Sequence, residues 1–193
     1  MKAARQRWQA ALGGLDPDRL VFIDESSAKT NLTRLRGRAP RGQRVKAHAP
    51  NGRWQTTTML CGLRLSGPTA PMLLPGAIDG AAFTAYVRQV LAPTLKPDDI
   101  VVMDNLASHH APGAMEAIAQ VGATALFLPP YSPDFNPIEP MWSKVKQYLR
   151  SAAARSFEPL CKAMGRAIAA VTPGDAIGYF THCGIATEMR KPL

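Results

Sequence analysis

Three acidic residues stand where the local sequence leaves a side chain little freedom. Glu139 opens an apolar helical pattern (Ile138, Met141, Trp142, Val145, Leu149) behind a run containing Pro129, Pro130, Pro133 and Pro137. Those prolines hold the chain extended or turned, so no helix is expected before Pro137. Asn136 is the expected N-cap and Pro137 the expected first helical residue. Asp104 and Asp24 follow the apolar runs 100–103 and 20–23, which read as buried strands, so each carboxylate is expected at a strand's C-terminal end. Three hard oxygen donors suit magnesium or manganese far better than zinc, and clustered carboxylates repel one another unless cations lie among them. Taken alone, Glu139 has a second reading, as an acid complementing the helix dipole.

The elements that must position these acids can be read in order. Residues 1–15 carry Trp8, Ala11 and Leu12 on one helical face and stop at Gly13-Gly14, a helix too short to read DNA sequence. The first strand covers Leu20 to Asp24. Residues 54–63 and 69–74 read as an antiparallel pair turning at Ser66-Gly67. Asp79 caps a helix with a stripe of Phe83, Tyr86, Val87, Val90 and Leu91, closed by Pro93. A strand over 100–103, a helix from Pro112 to Val121, a strand over 125–128 and the Glu139 helix follow. Amphipathic helices over 157–171 and from Pro173 complete the chain. Antiparallel strands first and helix-crossed parallel strands later imply an α/β mixed sheet with helices on both faces.

At this point the chain resembles a known family. Asp24-Glu25 after a strand, Asp104-Asn105-Leu106-Ala107-Ser108-His109, and the block Leu128-Pro-Pro-Tyr-Ser-Pro-Asp-Phe-Asn-Pro-Ile-Glu139 are similar to the catalytic core of IS630/Tc1/mariner superfamily transposases. Thirty-four residues separate Asp104 from Glu139, the spacing that family shows between its second and third acids. The resemblance implies a ribonuclease-H-like fold, with a helical segment over 1–18, a catalytic core of the DDE type over 19–155 and C-terminal helices over 156–193. It implies two Mg2+ ions, with Mn2+ as a substitute: Asp24 bridging both, Asp104 holding one and Glu139 the other. They would serve DNA strand cleavage and then strand transfer into target DNA. Glu25, pointing to the other side of its strand, is left out of that ligand set.

The implied partners are double-stranded DNA, both transposon terminal repeats and target, and a second copy of the chain in a homodimer on DNA. Full-length relatives carry helix-turn-helix modules before the first aspartate, whereas about twenty residues precede it here. Terminal-repeat recognition is therefore expected from an upstream-frame helix-turn-helix protein. A metal-dependent nuclease on the same fold, and a truncated DNA-binding relic, are the other two readings.

Charge bears on the partner. The 193 residues carry a formal net charge of +9, which favours a polyanion, although solubility alone also uses charge. No acid occurs between Ser26 and Ile78, while Lys29, Arg34, Arg36, Arg38, Arg41, Arg44, Lys46, Arg53 and Arg64 all fall there. Gly37, Pro40 and Gly42 make the 34–44 stretch an exposed loop or hairpin suited to phosphates. Lys144 and Lys146 would either follow a DNA backbone or line a solvated face. His109 has two readings, behind the acids or against substrate on one side and plain surface on the other; it is grouped here with the DNA contacts. Trp54 reads as a base-stacking residue or as a core or rim aromatic. No helical His-x-x-x-His pair or nearby cysteine supports zinc at His109-His110. A hydrophobic content of 46% argues against disorder, and no apolar run approaches the roughly 18 residues of a membrane span. The basic start lacks a signal peptide's apolar region, so a bacterial, cytoplasmic, nucleoid-associated location is expected. Cys61, Cys161 and Cys183, widely spaced, are expected as thiols.

Overall fold

Leu20, Val21, Phe22 and Ile23 are all fully buried, and a strand achieves that only when both of its faces are covered. The computed structural model describes residues 2–46, 48, 50–51 and 54–185. Arg53 of the basic run and the last eight residues of the C-terminal segment lie outside the described residues. The elements are α1 (Lys2–Leu12), β1 (Leu20–Lys29), β2 (Thr56–Arg64), β3 (Gly67–Pro75), α2 (Gly80–Tyr86), β4 (Ile100–Met103), α3 (Pro112–Gln120), β5 (Thr124–Phe127), α4 (Ile138–Ala152), α5 (Phe157–Ala169) and α6 (Pro173–His182). They build one five-stranded sheet in the order β3-β2-β1-β4-β5. β1 pairs antiparallel with β2 and β2 with β3, while β1–β4 and β4–β5 are parallel.

Strand alternation divides the core in two. Leu20, Phe22, Met59, Cys61, Leu63 and Val102 face one way, against Trp8 of α1, Trp142 of α4 and the apolar sides of α5 and α6. Val21, Ile23, Leu60, Val101 and Met103 face the other way, against Phe83 and Tyr86 of α2 and Ile118 of α3. The mixed sheet with helices on both faces is thus as expected from the order of elements. Among the described residues no helix is long and apolar enough to cross a membrane, and all three cysteines are free.

Several local readings change. β1 does not end at Asp24 but runs on to Lys29, because β2 keeps pairing with it as far as Lys29↔Thr56 while β4 accompanies it only to Phe22↔Val102. Ala11 is exposed, leaving Trp8 and Leu12 to anchor α1. The Asp79-capped helix passes into a π-helical turn at Val87–Leu91 and a 3₁₀ turn at Ala92–Thr94 that contains Pro93. A 3₁₀ turn at Pro133–Phe135 does precede Pro137. Proline can open such a turn because its missing N–H is not needed there. Asn136 closes that turn, its N–H donating to the Pro133 carbonyl at 3.0 Å, and Pro137 takes the cap position of α4.

One buried ion pair fixes the entry to β4. Arg64, at the end of β2, donates to Asp99 Oδ2 at 2.7 Å and to the Thr94 carbonyl at 2.9 Å, and the Lys96 N–H also donates to Asp99 Oδ2. Burial alone would push the Asp99 carboxyl up, yet Arg64 and the Lys96 N–H outweigh it and hold it below its ordinary range. Arg64→Met leaves that carboxylate buried and unpaired, which costs about 3–5 kcal/mol and lowers Tm by roughly 10 °C. Adding Asp99→Leu recovers most of the loss, a double-variant comparison readable by thermal melting.

Candidate active site

Asp24 lies on the face of β1 that carries Leu20 and Phe22, and Asp104 follows β4 in step with Val102. The parallel register pairs Phe22 with Val102, and carried two residues further it sets Asp24 beside Asp104. α4 covers this same face, with Ile138, Met141, Trp142, Val145 and Leu149 all buried, so its first turn brings Glu139 over the sheet edge. The three acids line one open cleft of about 420 Å³, together with Asn105, Asn136 and residues of the proline-rich turn. Glu25, on the opposite face of β1, is not part of that lining.

The cleft is set in an electrostatic conflict. The Asp24 carboxyl is pushed up to about 8, foremost by burial and then by the neighbouring Glu139, Glu25 and Asp104 charges. Only the Glu25 N–H, donating to Asp24 Oδ1 at 2.8 Å, opposes the shift. Asp104 moves the other way: His109 holds its carboxyl below the usual range, helped by the Leu106 N–H, against a smaller effect of burial.

His109 is the joint of the arrangement. Its side chain is only 1% exposed, with Nδ1 at 2.7 Å from Asp104 Oδ1 and Nε2 at 2.8 Å from Glu25 Oε2. Its ring also rests 4.6 Å from that of Phe83. Burial alone would lower its pKa; the two carboxylates outweigh that and raise it to about 10, so both nitrogens donate. The grouping of His109 with DNA contacts is therefore corrected, since it sits behind the acids with both nitrogens occupied. Glu25 thereby acts on Asp104 through His109. Alternation along β1 already sent Glu25 to the far face; nothing local indicated that a histidine 84 residues away would meet it there.

Asp24 and Asp104 each have one oxygen, Oδ1, fixed by protein donors, and no hydrogen bond among the described residues engages the other. Among the described residues no three His, Cys, Asp or Glu side chains converge into a ready-made metal cluster.

The turn that leads to Glu139 is braced from two sides. Asn105 Nδ2 donates to the Leu128 carbonyl. From α1, Arg5 donates to Ser132 Oγ and to Asp134 Oδ1, both at 2.9 Å, and its guanidinium lies 4.3 Å from the Phe135 ring centroid. The N-terminal helix thus packs on the core and holds the loop that lines the cleft, a role that its sequence did not reveal.

The basic residues divide. Arg34, Arg36, Arg38, Arg41, Arg44 and Lys46 are all exposed on the loop between β1 and β2, and none forms an ion pair among the described residues. Lys144 is instead committed to the fold: its Nζ lies 2.6 Å from Asp175 Oδ2, the acid that also closes the capping box of α6. Lys146 is partly exposed, and Trp54 is a rim aromatic at 42% exposure.

The Asp24 shift has a sign that can be measured. A folded-state pKa near 8 against an ordinary 3.8 means that the folded chain holds this proton more tightly, so its stabilising effect is full below about pH 4 and is lost as pH rises to 8. In a chelating buffer Asp24→Asn melts close to wild type near pH 4.5, and higher by on the order of 5 °C at pH 8. Parallel melting curves across that range would contradict the assigned environment. His109→Ala leaves the carboxylates of Glu25 and Asp104 without the donor they share, and destabilises the fold by about 2–4 kcal/mol, measurable by denaturant melts.

The DDE superfamily endonuclease family model matches residues 19–161. No curated protein matches the chain significantly in sequence. Among solved structures, the Mos1 transposase paired-end complex with left transposon end superposes with a TM-score of 0.73 at 20% identity, over 94% of this chain and 57% of that one. The catalytic domain of Mos1 mariner transposase gives 0.69 at 16% identity, over 94% and 85%. The mariner Mos1 paired end complex with Mg gives 0.69 at 20%, over 95% and 57%. The chain thus spans a little over half of the longer Mos1 chains, and its fold is the ribonuclease-H-like one of transposase catalytic domains. With the family model covering Asp24, Asp104 and the Glu139 helix, the chain belongs to the DDE superfamily endonucleases.

Proposed function

We propose that this transposase-like domain cuts DNA phosphodiesters at transposon ends and joins the freed ends to target DNA, as a member of the IS630/Tc1/mariner group. The observation that supports it best is the meeting of Asp24 within β1, Asp104 just past β4 and Glu139 in the first turn of α4 around one open cleft. The donor set fits magnesium, with manganese as a substitute: it is made of carboxylate oxygens, and the repulsion felt by Asp24 is one that a cation relieves. Asp24, Asp104 and Glu139 are the residues that would hold two such ions. Bound there, divalent cations supply Lewis-acid activation of a water or a DNA 3′-hydroxyl and stabilise the leaving oxygen.

The chain's own residues do the rest. His109 and the Leu106 N–H fix Asp104 through Oδ1, leaving its second oxygen without a hydrogen bond among the described residues. The Glu25 N–H does the same for Asp24. The braced turn and α4 deliver Glu139 without slack, since a ligand must be held closely in place to be useful. The exposed arginines of the β1–β2 loop would bind phosphates, whose contacts position DNA without reading its sequence. Terminal-repeat recognition would come from a helix-turn-helix partner, and two copies of the chain would act on paired ends.

Asp24→Asn, Asp104→Asn and Glu139→Gln each reduce magnesium-dependent nicking of duplex DNA to background while the protein still melts cooperatively. Near-normal nicking by any one removes that residue from the ligand set. A second assay offers pre-cleaved ends and a target plasmid: joined products support transposition, and cleavage without joining reduces the assignment to a nuclease. Replacing Arg36, Arg38 and Arg41 together by alanine weakens binding to all sequences alike and makes the slope of log affinity against log salt shallower by roughly 2–3. An unchanged slope would remove that loop from the DNA path.

A further inference from the structure

Tyr131 is the most exposed large hydrophobic residue among the described residues, at 89%, and it lines the same cleft as Asp24, Asp104 and Glu139. Its backbone lies in the left-handed region, at φ +55°. A tyrosine there is strained, whereas glycine or asparagine takes that conformation at little or no cost. The ring offsets none of this within the fold: it is not buried, and its hydroxyl makes no hydrogen bond among the described residues. Strain and exposure of an aromatic ring thus coincide at one position, and the strain runs against folding stability without any packing of the ring to offset it.

The residues on either side are held firmly. Leu128 is tied through its N–H to the Met103 carbonyl at 2.9 Å and through its own carbonyl to Asn105. Pro129 and Pro130 stiffen the approach. Ser132 is 5% exposed, donates to the Pro130 carbonyl at 3.2 Å and accepts from Arg5. The ring is therefore carried at a fixed point of the cleft wall.

A group that covers this ring must be flat, with a π face, and must arrive beside a phosphodiester seated at the acids. A nucleobase has that chemistry, and base–aromatic stacking tolerates any sequence. In an intact duplex both faces of each base are already stacked, so the base that meets Tyr131 must have left the stack. We propose that Tyr131 is a substrate-contacting residue whose ring receives the face of an unstacked nucleobase next to the phosphodiester held at Asp24, Asp104 and Glu139. This rests on the DNA-cleaving function proposed above.

The test keeps the two apart by reading contact without catalysis. The full chain is bound, with calcium in place of magnesium, to a nicked duplex with a three-nucleotide flap carrying 5-iodouracil at each flap position in turn. It is then irradiated, and the crosslinked residue is found by mass spectrometry. A crosslink at Tyr131 from a position next to the nick is expected; crosslinks only at other residues overturn the proposal. In the cleavage assay Tyr131→Phe retains activity, and Tyr131→Asn loses about 10- to 100-fold in kcat/KM. Its Tm stays unchanged or rises, because asparagine relieves the strain. Cutting at the wild-type rate by Tyr131→Asn overturns the stacking role and leaves the cleavage function standing. A crosslink at Tyr131 in a chain that does not cut with magnesium supports the stacking contact and overturns the cleavage function.

Discussion

The short parallel pairing of β1 with β4 is the constraint on which the rest of this molecule depends. Three register pairs, Leu20↔Ile100 to Phe22↔Val102, align two chain segments so that Asp24 and Asp104 emerge together on one face. Burying a carboxylate among other carboxylates is unfavourable, and the cost appears in the Asp24 carboxyl, raised foremost by burial and then by the charges of Glu139, Glu25 and Asp104. Both sides of the sheet work against that cost. On one, α4 and α1 pack over Leu20 and Phe22; on the other, His109 supplies a positive charge between Glu25 and Asp104. The arrangement persists because the buried apolar surface on both faces outweighs the local electrostatic penalty.

Stiffness around the cleft has a separate origin in the proline-rich turn. Prolines alone restrict φ but do not place a loop in space. Placement comes from Asn105 holding the Leu128 carbonyl and from Arg5 clasping Ser132, Asp134 and Phe135. A positive-φ tyrosine can be tolerated at the tip only because both flanks are pinned. The same bracing reaches α4, whose first turn carries Glu139. The N-terminal helix is thereby part of the support for the cleft.

Charge is distributed in keeping with this division of labour. Two arginines outside the basic loop have carboxylate partners: Arg5 with Asp134, and Arg64 with the fully buried Asp99. Arg34, Arg36, Arg38, Arg41 and Arg44 of the β1–β2 loop have none among the described residues, and they are exposed. Unpaired cations so close together repel one another, which a globular domain accepts most readily where an anionic partner covers them. Lys144 shows that sequence proximity to the acids is not enough to assign a lysine to that surface, since its charge is spent on Asp175.

Much of this was legible in the sequence alone: the strands over 20–23 and 100–103, the Glu139 helix with its five buried apolar positions, the Asp79 cap, and the exposed basic loop. Each of these rests on a signal spanning one or two turns, such as apolar periodicity, the fixed φ of proline, or a side chain capping its own helix. The full extent of β1, the 3₁₀ turn before Pro137 and the partners of His109, Arg5 and Lys144 were decided by the tertiary structure. β1 runs past Asp24 because β2, distant in sequence, continues to pair with it from Glu25↔Leu60 to Lys29↔Thr56. His109 meets Glu25, and Arg5 meets Asp134, across 84 and 129 residues. A contact of that kind leaves no periodic trace in either segment, because its energy depends on which strands become neighbours and which faces the helices cover.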